Sequence, residues 1–175
     1  MVTGIIIVIV IAIAAVLVYA ATRPDSFRIE RSATIKSAPD RIYALLDNFH
    51  NWSQWSPWEK LDPNLQRKFA GPEAGKGAVY EWQGDKNVGQ GRMEITDSTH
   101  ASRLLIKLDF LKPFEAHNTA DFSLTPDGQG TKIVWAMYGP SPFMSKLMGI
   151  FFNMDKMVGK DFDTGLANLK AIAEK

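Results

Sequence analysis

Residues 27–63 read FRIERSATIKSAPDRIYALLDNFHNWSQWSPWEKLDP. At the start of this stretch Phe27, Ile29, Ala33 and Ile35 fall on one face, while Arg28, Glu30, Ser32, Thr34 and Lys36 fall on the other. Period-two alternation predicts a half-buried strand, with Arg31 as the one misfit on the apolar side. Ser37 with Asp40 three residues later has the form of a capping box. It predicts a helix through Ile42, Leu45 and Leu46 that ends near Asp47-Asn48. Trp52, Trp55 and Trp58 then recur every three residues, the spacing of a short helix or of 3₁₀ turns stopped by Pro57.

Upstream lies a different kind of segment. Residues 5–21, IIIVIVIAIAAVLVYAA, are unbroken members of the hydrophobic set, and residues 3–22 carry no charge. Twenty helical residues span about 30 Å, the thickness of a bilayer's hydrocarbon core. A buried core helix fits poorly, because pure Ile/Val/Ala has no polar side to show water. The rival reading is a cleaved signal peptide, for which Val18-Tyr19-Ala20 has the small-residue form. Against it, no Lys or Arg precedes the run, and the run exceeds a usual apolar signal region. The expected organisation is an uncleaved transmembrane anchor over residues 1–22, a linker over 23–26 opened by Arg23-Pro24-Asp25, and one domain over 27–175. Arg23, Arg28, Arg31 and Lys36 follow the span, so positive-inside reasoning expects a single-pass cell-membrane protein with its domain in the cytoplasm.

Downstream, residues 66–139 alternate strand and turn, with turns at AGPEAGKG, QGDKN, DSTHAS, LKP and TPDGQG. Regular short strands predict an antiparallel meander. Ser141-Pro142 has the form of a cap and first helical residue. It opens a stripe of Phe143, Leu147, Ile150, Met154, Met157, Asp161, Gly165, Leu169 and Ile172 three or four residues apart, broken only by Asp161 and Gly165, with Gly149, Gly159 and Gly165 as kink positions. The expected class is α+β: one curved antiparallel sheet wrapped around a long C-terminal helix, preceded by one transmembrane helix.

Chemistry is sparse. The 20 basic and 19 acidic residues are interspersed, with no basic stripe for nucleic acid. Cysteine is absent, which excludes disulfides, thiol nucleophiles and Cys-held metals. His50, His100 and His117 are too scattered for a metal site, and GPEAGKG over residues 71–77 is one residue short of a phosphate loop and ends in Gly77. No cofactor, metal or catalytic set is expected.

Alternation assigns every charged strand residue, Asp109, His117 and Asp121 among them, to a wet outer face. The inner face collects Tyr80, Trp82, Met93, Phe110, Trp135 and Met137, with the small or polar Gly91, Ala116, Asn118 and Ala120 between them. Large beside small reads first as a ligand-holding cavity and second as close approach of the helix in a filled core. The candidate wall is therefore Tyr80, Trp82, Met93, Phe110, Asn118, Trp135 and Met137. Trp55 and Trp58 are candidates for its rim, or else a seal on the end of the core. Phe151 and Met154, in the Met-rich stretch FMSKLMGIFFNMDKMV, are candidates for an adaptable lid, a surface that equally suits a membrane or a second copy.

The chain resembles the START-like SRPBCC superfamily, and more closely the bacterial polyketide cyclase/dehydrase and lipid-transport family. The resemblance rests on the R-S-x-x-I strand at Arg31–Ile35, the A-P-x-x-I helix start at Ala38–Ile42 and the W-x-x-W-x-P-W segment at Trp52–Trp58. GTKIVWAMYG and GKDFDTGLANLK look like that family's last strand and C-terminal helix, so the likeness covers about residues 26–173. It implies a helix-grip fold with a hydrophobic cavity between sheet and helix. The charge-free inner face makes the leading expectation a membrane-anchored, non-enzymatic binding module for a lipid or other hydrophobic small molecule. The alternatives are a cyclase/dehydrase-like enzyme, with Tyr80 and Asn118 orienting a substrate, or an interaction domain with a filled core.

Overall fold

The computed structural model describes residues 2–175. α1 (Val2–Thr22) is long and apolar enough to cross a membrane, and Ala20 is its one buried residue. β1 (Ser26–Ile35), β2 (Gln66–Ala70), β3 (Val79–Gln83), β4 (Gln90–Thr99), β5 (Arg103–Lys112), β6 (Ala116–Asp127) and β7 (Gly130–Pro140) form a single antiparallel sheet in the order β1-β7-β6-β5-β4-β3-β2. β2 to β7 are the expected meander, and β1 closes onto β7. Bulges in the β4–β5 ladder, at Gln90/Gly91 and Ile95/Asp97, bend the sheet.

The register gives the sheet two distinct ends. Ser26 pairs with Pro140, Phe110 with Ala116, and Gln90 with Lys112, so the β5–β6 turn lies at the end where α1 leaves. Thr99 pairs with Arg103 and Asp127 with Gly130, so the polar β4–β5 and β6–β7 turns lie at the far end.

α2 (Pro39–Leu46) and two 3₁₀ turns, Phe49–Gln54 and Pro57–Lys60, connect β1 to β2. Ser37 does not cap α2. The cap is Ala38 with no side-chain bond, and Pro39 follows at the start. Proline's fixed φ presets the first turn one residue later than the capping-box reading, and Asp40 instead reaches His100 at 2.8 Å.

The C-terminal stripe also differs from expectation. It is two helices, α3 (Phe143–Phe151) and α4 (Met154–Ala173), with Phe152 extended between them. The break falls at none of the glycines. It falls where the Asn153 side chain accepts from Lys156 N at 2.9 Å and caps α4. Ser141 caps nothing; its backbone N–H donates to Asp25 O at 2.7 Å and ties the linker to the start of α3. α3 packs against α1, and α4 packs against β1.

Phe162, Leu166, Leu169 and Ala173 of α4 bury against the inner face, where Phe122, Ile133 and Trp135 await them as the alternation predicts. The outer face is less wet than expected. Asp109 and Asp121 are buried there, because Lys107 and His117 cover the first and Arg103 grips the second through both carboxylate oxygens. A buried carboxylate is tolerable only with such partners.

Candidate functional site

The space between sheet and α4 is built around one indole. Trp135 of β7 stacks on Phe162 of α4 at 4.0 Å and 7°, and on Phe122 of β6 at 5.0 Å. Trp55 and Trp58, from the 3₁₀ segment, meet the same ring edge-on at 5.6 and 5.8 Å. The Trp52, Trp55 and Trp58 spacing exists to deliver these rings: Trp52 and Trp55 donate their indole N–H to the carbonyls of Leu46 and Leu45. Trp135 Nε1 is buried and has no hydrogen-bond partner among the described residues.

Small residues in this region admit neighbours. A Cβ on Gly165 would stand 2.8 Å from the Trp135 ring, and one on Gly91 would collide with the Trp82 ring. At both positions, the central Gly165 and Gly91 toward the α1 end, large beside small is therefore close packing.

Toward the α1 end the inner face becomes more exposed, although a Cβ on Gly139 there would stand 2.4 Å from Asn118 Oδ1. Along β7, exposure rises from 0% at Ile133 to 3% at Trp135 and 7% at Met137; along β6 it rises from 0% at Phe122 to 5% at Ala120 and 8% at Asn118. Leu108, Phe110, Ala116 and Phe27 beyond them are only half-buried. An open cleft of about 730 Å³ lies at this end, lined by Phe27, Arg28, Tyr138, Gly139 and Pro140 among others. A second cleft, of about 260 Å³, lies beside β2 between Phe49, His50, Phe69 and Glu73. α4 lines neither cleft.

The candidate residues thus divide by position. Trp55, Trp58 and Trp135 form the central aromatic stack. Tyr80, Trp82 and Met93 continue the inner face toward β2, and Phe110, Asn118 and Met137 lie toward the α1 end. Phe151 and Met154 do not join them. They stand 67% and 50% exposed at the α3–α4 junction, because the Asn153 cap turns the chain there and carries both away from the sheet.

Two charged side chains do face inward, both on edge strands. Arg31 of β1 reaches α4, donating to Asp155 Oδ1 and Oδ2 at 3.0 Å and to the Asp155 carbonyl at 3.0 Å, with Asp163 at 3.5 Å. Its hydrogen bond to Asp155 holds that carboxyl below the ordinary carboxylate range. Arg67 of β2 pairs across from Trp82 and donates to Glu59 Oε2 at 2.6 Å. The other oxygen of Glu59 accepts from Tyr80 Oη at 2.5 Å, and the Glu59 side chain is 7% exposed. Burial first, then this hydrogen bond, pushes the Tyr80 phenol far above its usual range, so it stays protonated. Sequence reading missed Glu59 and Arg67. The available signal was Arg67 two residues before Phe69, an arginine in phase with an apolar face, as Arg31 is in β1.

The histidines are held apart. His50 stacks on Phe69 at 3.9 Å, His100 bonds Asp40, and His117 bridges Asp109 at 2.7 Å and Glu115 at 3.1 Å.

With this geometry in view, the chain belongs to the polyketide cyclase/dehydrase and lipid transport family, whose pattern matches residues 26–174. Solved structures share the fold. SA2116 of Staphylococcus aureus superposes with a TM-score of 0.63 at 10% identity, over 86% of this chain and 97% of that one. MLL2253 of Mesorhizobium loti gives 0.62 at 14% identity, over 83% and 96%. DynU16, a protein of the dynemicin biosynthetic locus, gives 0.59 at 14% identity, over 87% of this chain and 48% of that one. No curated protein matches. The fold is therefore the helix-grip arrangement that the resemblance implied, with the gripped helix preceded by a separate short one.

Proposed function

We propose that the chain is a membrane-anchored module that binds a lipid or another hydrophobic small molecule without transforming it. Residues 3–22 are its single-pass anchor, and the run of Arg23, Arg28, Arg31 and Lys36 after the span supports a cytoplasmic domain. The observation that carries the reading is the graded inner face. Its charged residues, Arg31 and Arg67, are ion-paired at the two edges, and its exposure rises toward the α1 end. Burial of apolar ligand surface contributes about 25 cal/mol per Å² before ordering costs, so binding there needs no charged contact. The seat is the half-buried region of Phe27, Leu108, Phe110 and Ala116 with Asn118 beside it; of these, Phe27 also lines the 730 Å³ cleft. The unpartnered Trp135 Nε1 further in is a donor that one acceptor oxygen on an amphiphile would satisfy.

One observation favours the enzymatic alternative: Glu59 brings a buried carboxylate to the inward Tyr80 phenol. Both carboxylate oxygens are occupied, by Tyr80 and by Arg67. Proton transfer needs a free site within reach of substrate, so the triplet reads as a structural brace between the 3₁₀ segment and β2.

The test is uptake of a fluorescent fatty acid by the detergent-solubilised chain and by Ala116→Trp. A half-buried Ala116 accepts the larger ring without unfolding the core. Loss of uptake with an unchanged melting temperature supports the seat, and undiminished uptake removes it.

A further inference from the structure

α3 is a helix without a core. None of its nine residues, FMSKLMGIF, is buried. Isolated helices shorter than about 12–15 residues are marginal in water, and a surface helix normally gains its stability by packing an apolar face. Here Met144, Met148 and Phe151, spaced four and three apart on one face, are 65%, 44% and 67% exposed, and Phe152 and Met157 beyond them are 51% and 57% exposed. Lys146, on a different side of α3, is withdrawn from water and paired with Asp25 of the linker at 2.5 Å.

Three further observations say what covers this face. First, α3 packs against α1, whose own surface is apolar all round. Second, Tyr19 and Arg23 mark the upper end of α1 with an exposed aromatic ring and a guanidinium 5.7 Å above it, the residue types found at the boundary between acyl chains and headgroups. Ala20, the buried residue of α1, lies at the same level. Third, the register puts the β5–β6 turn at this end of the sheet; Leu111 near the end of β5 is 46% exposed, and Phe114 in the turn is 77% exposed. The turns at the far end are polar, Thr99–Ser102 and Asp127–Gln129. Exposed apolar surface on a soluble domain is thus concentrated at the end where an apolar helix leaves it, and such patches mark interaction sites.

We propose that α3 and the tip of the β5–β6 turn seat the domain on the bilayer surface, with Met144, Met148, Phe151 and Phe114 in the headgroup–acyl boundary. An amphipathic helix lies in that boundary with its apolar face about 5–10 Å deep. The more exposed end of the inner face then opens toward lipid rather than toward water. The inference rests on the anchoring of α1, but not on what the inner face binds.

The full chain is reconstituted in phosphatidylcholine vesicles after labelling single cysteines with an environment-sensitive fluorophore; the natural sequence supplies none to interfere. Labels go to Ile9→Cys in α1, to Phe114→Cys and Phe151→Cys at the near end, and to Gln129→Cys at the far end. All four positions are exposed, so the fold is unaffected by the exchange. The expected result is loss of emission at 114 and 151 with lipids carrying a shallow doxyl quencher, and protection there from aqueous iodide, while 129 shows the reverse. Quenching of 9 by deep doxyl lipids with 114 and 151 as open to iodide as 129 overturns the seating alone. A label at 9 that no lipid quencher reaches overturns the anchoring and the seating together. Cross-linking of unlabelled Phe151→Cys chains at 151, with no lipid quenching of the labelled ones, assigns the face to a second copy and also overturns the proposal.

Discussion

The guanidinium of Arg31 lies directly against Gly159, so close that a Cβ at that position would overlap it. The contact joins the edge strand β1 to α4 by a charged side chain where the sequence pattern leads one to expect an apolar one. It accounts for two oddities at once, the arginine on an inward strand face and the glycine inside a helix. Gly159→Ala is expected to displace the guanidinium and release Asp155. The Asp155 carboxyl, which Arg31 holds low, should then titrate closer to the ordinary value. Carbon-detected NMR of the Asp155 side chain measures this, and an unchanged titration would count against the contact.

Gly165 makes a second close approach, to rigid atoms this time. An alanine there meets the Trp135 ring at 2.8 Å and the Pro57 ring at 3.3 Å. Overpacking costs about 1–3 kcal/mol, against a gain in helix propensity of about 1 kcal/mol. Gly165→Ala should lower the melting temperature by a few degrees, since about 1 kcal/mol shifts a domain of this size by about 2–4 °C. A melting temperature at or above that of the natural chain would show that α4 and Trp135 are not in contact.

The Glu59–Tyr80–Arg67 brace predicts an asymmetry. Glu59→Ala leaves the buried Tyr80 hydroxyl without its acceptor, at a cost of about 1–3 kcal/mol. Tyr80→Phe removes the donor and leaves Glu59 still paired with Arg67, so it should cost less. Denaturant unfolding of the two variants compares them. Equal losses would argue against the brace, and a ligand-conversion activity abolished by both would favour the enzymatic alternative.

His117 supplies a pH dependence. Its hydrogen bond to Asp109, then that to Glu115, raises its pKa above the usual histidine value. Burial works against ionisation of Asp109, but hydrogen bonds from His117 and Lys107 outweigh it and hold that carboxyl low. A histidine raised on folding contributes stability that is full below the unfolded value of about 6.5 and is lost as pH climbs through the higher folded value. The natural chain should therefore melt above His117→Gln at about pH 5.5, with the gap closing by about pH 8.5. A gap that widens with pH would reverse the assignment.

Much of this was legible beforehand because side-chain periodicity is a local property. Phe27 to Ile35 declared a strand, and the alternation of Tyr80, Trp82, Met93, Phe122 and Trp135 declared the inner face. What escaped notice depends on contacts between distant residues. Glu59 sits in a 3₁₀ turn and gains meaning only when Arg67 and Tyr80 arrive from two strands. The end of α3 was hidden because its apolar stripe continues through Phe152 and Met154, and the break is decided by one asparagine cap. The greater exposure around Ala116 and Asn118 was illegible for a related reason. Alternation says which face a residue takes, not how closely the opposing helix covers it. Asp109 and Asp121 were misread as wet because their covering partners come from neighbouring strands or from their own strand two residues on.

The reading of the inner face is tested most directly by native mass spectrometry of the full chain extracted from membranes in a mild detergent. The expected spectrum shows one hydrophobic molecule per chain, released on collisional activation, and much reduced occupancy in Ala116→Trp. A spectrum of bare chain alone, from both the natural protein and the variant under conditions that preserve the fold, would contradict ligand binding and leave a domain whose core is filled.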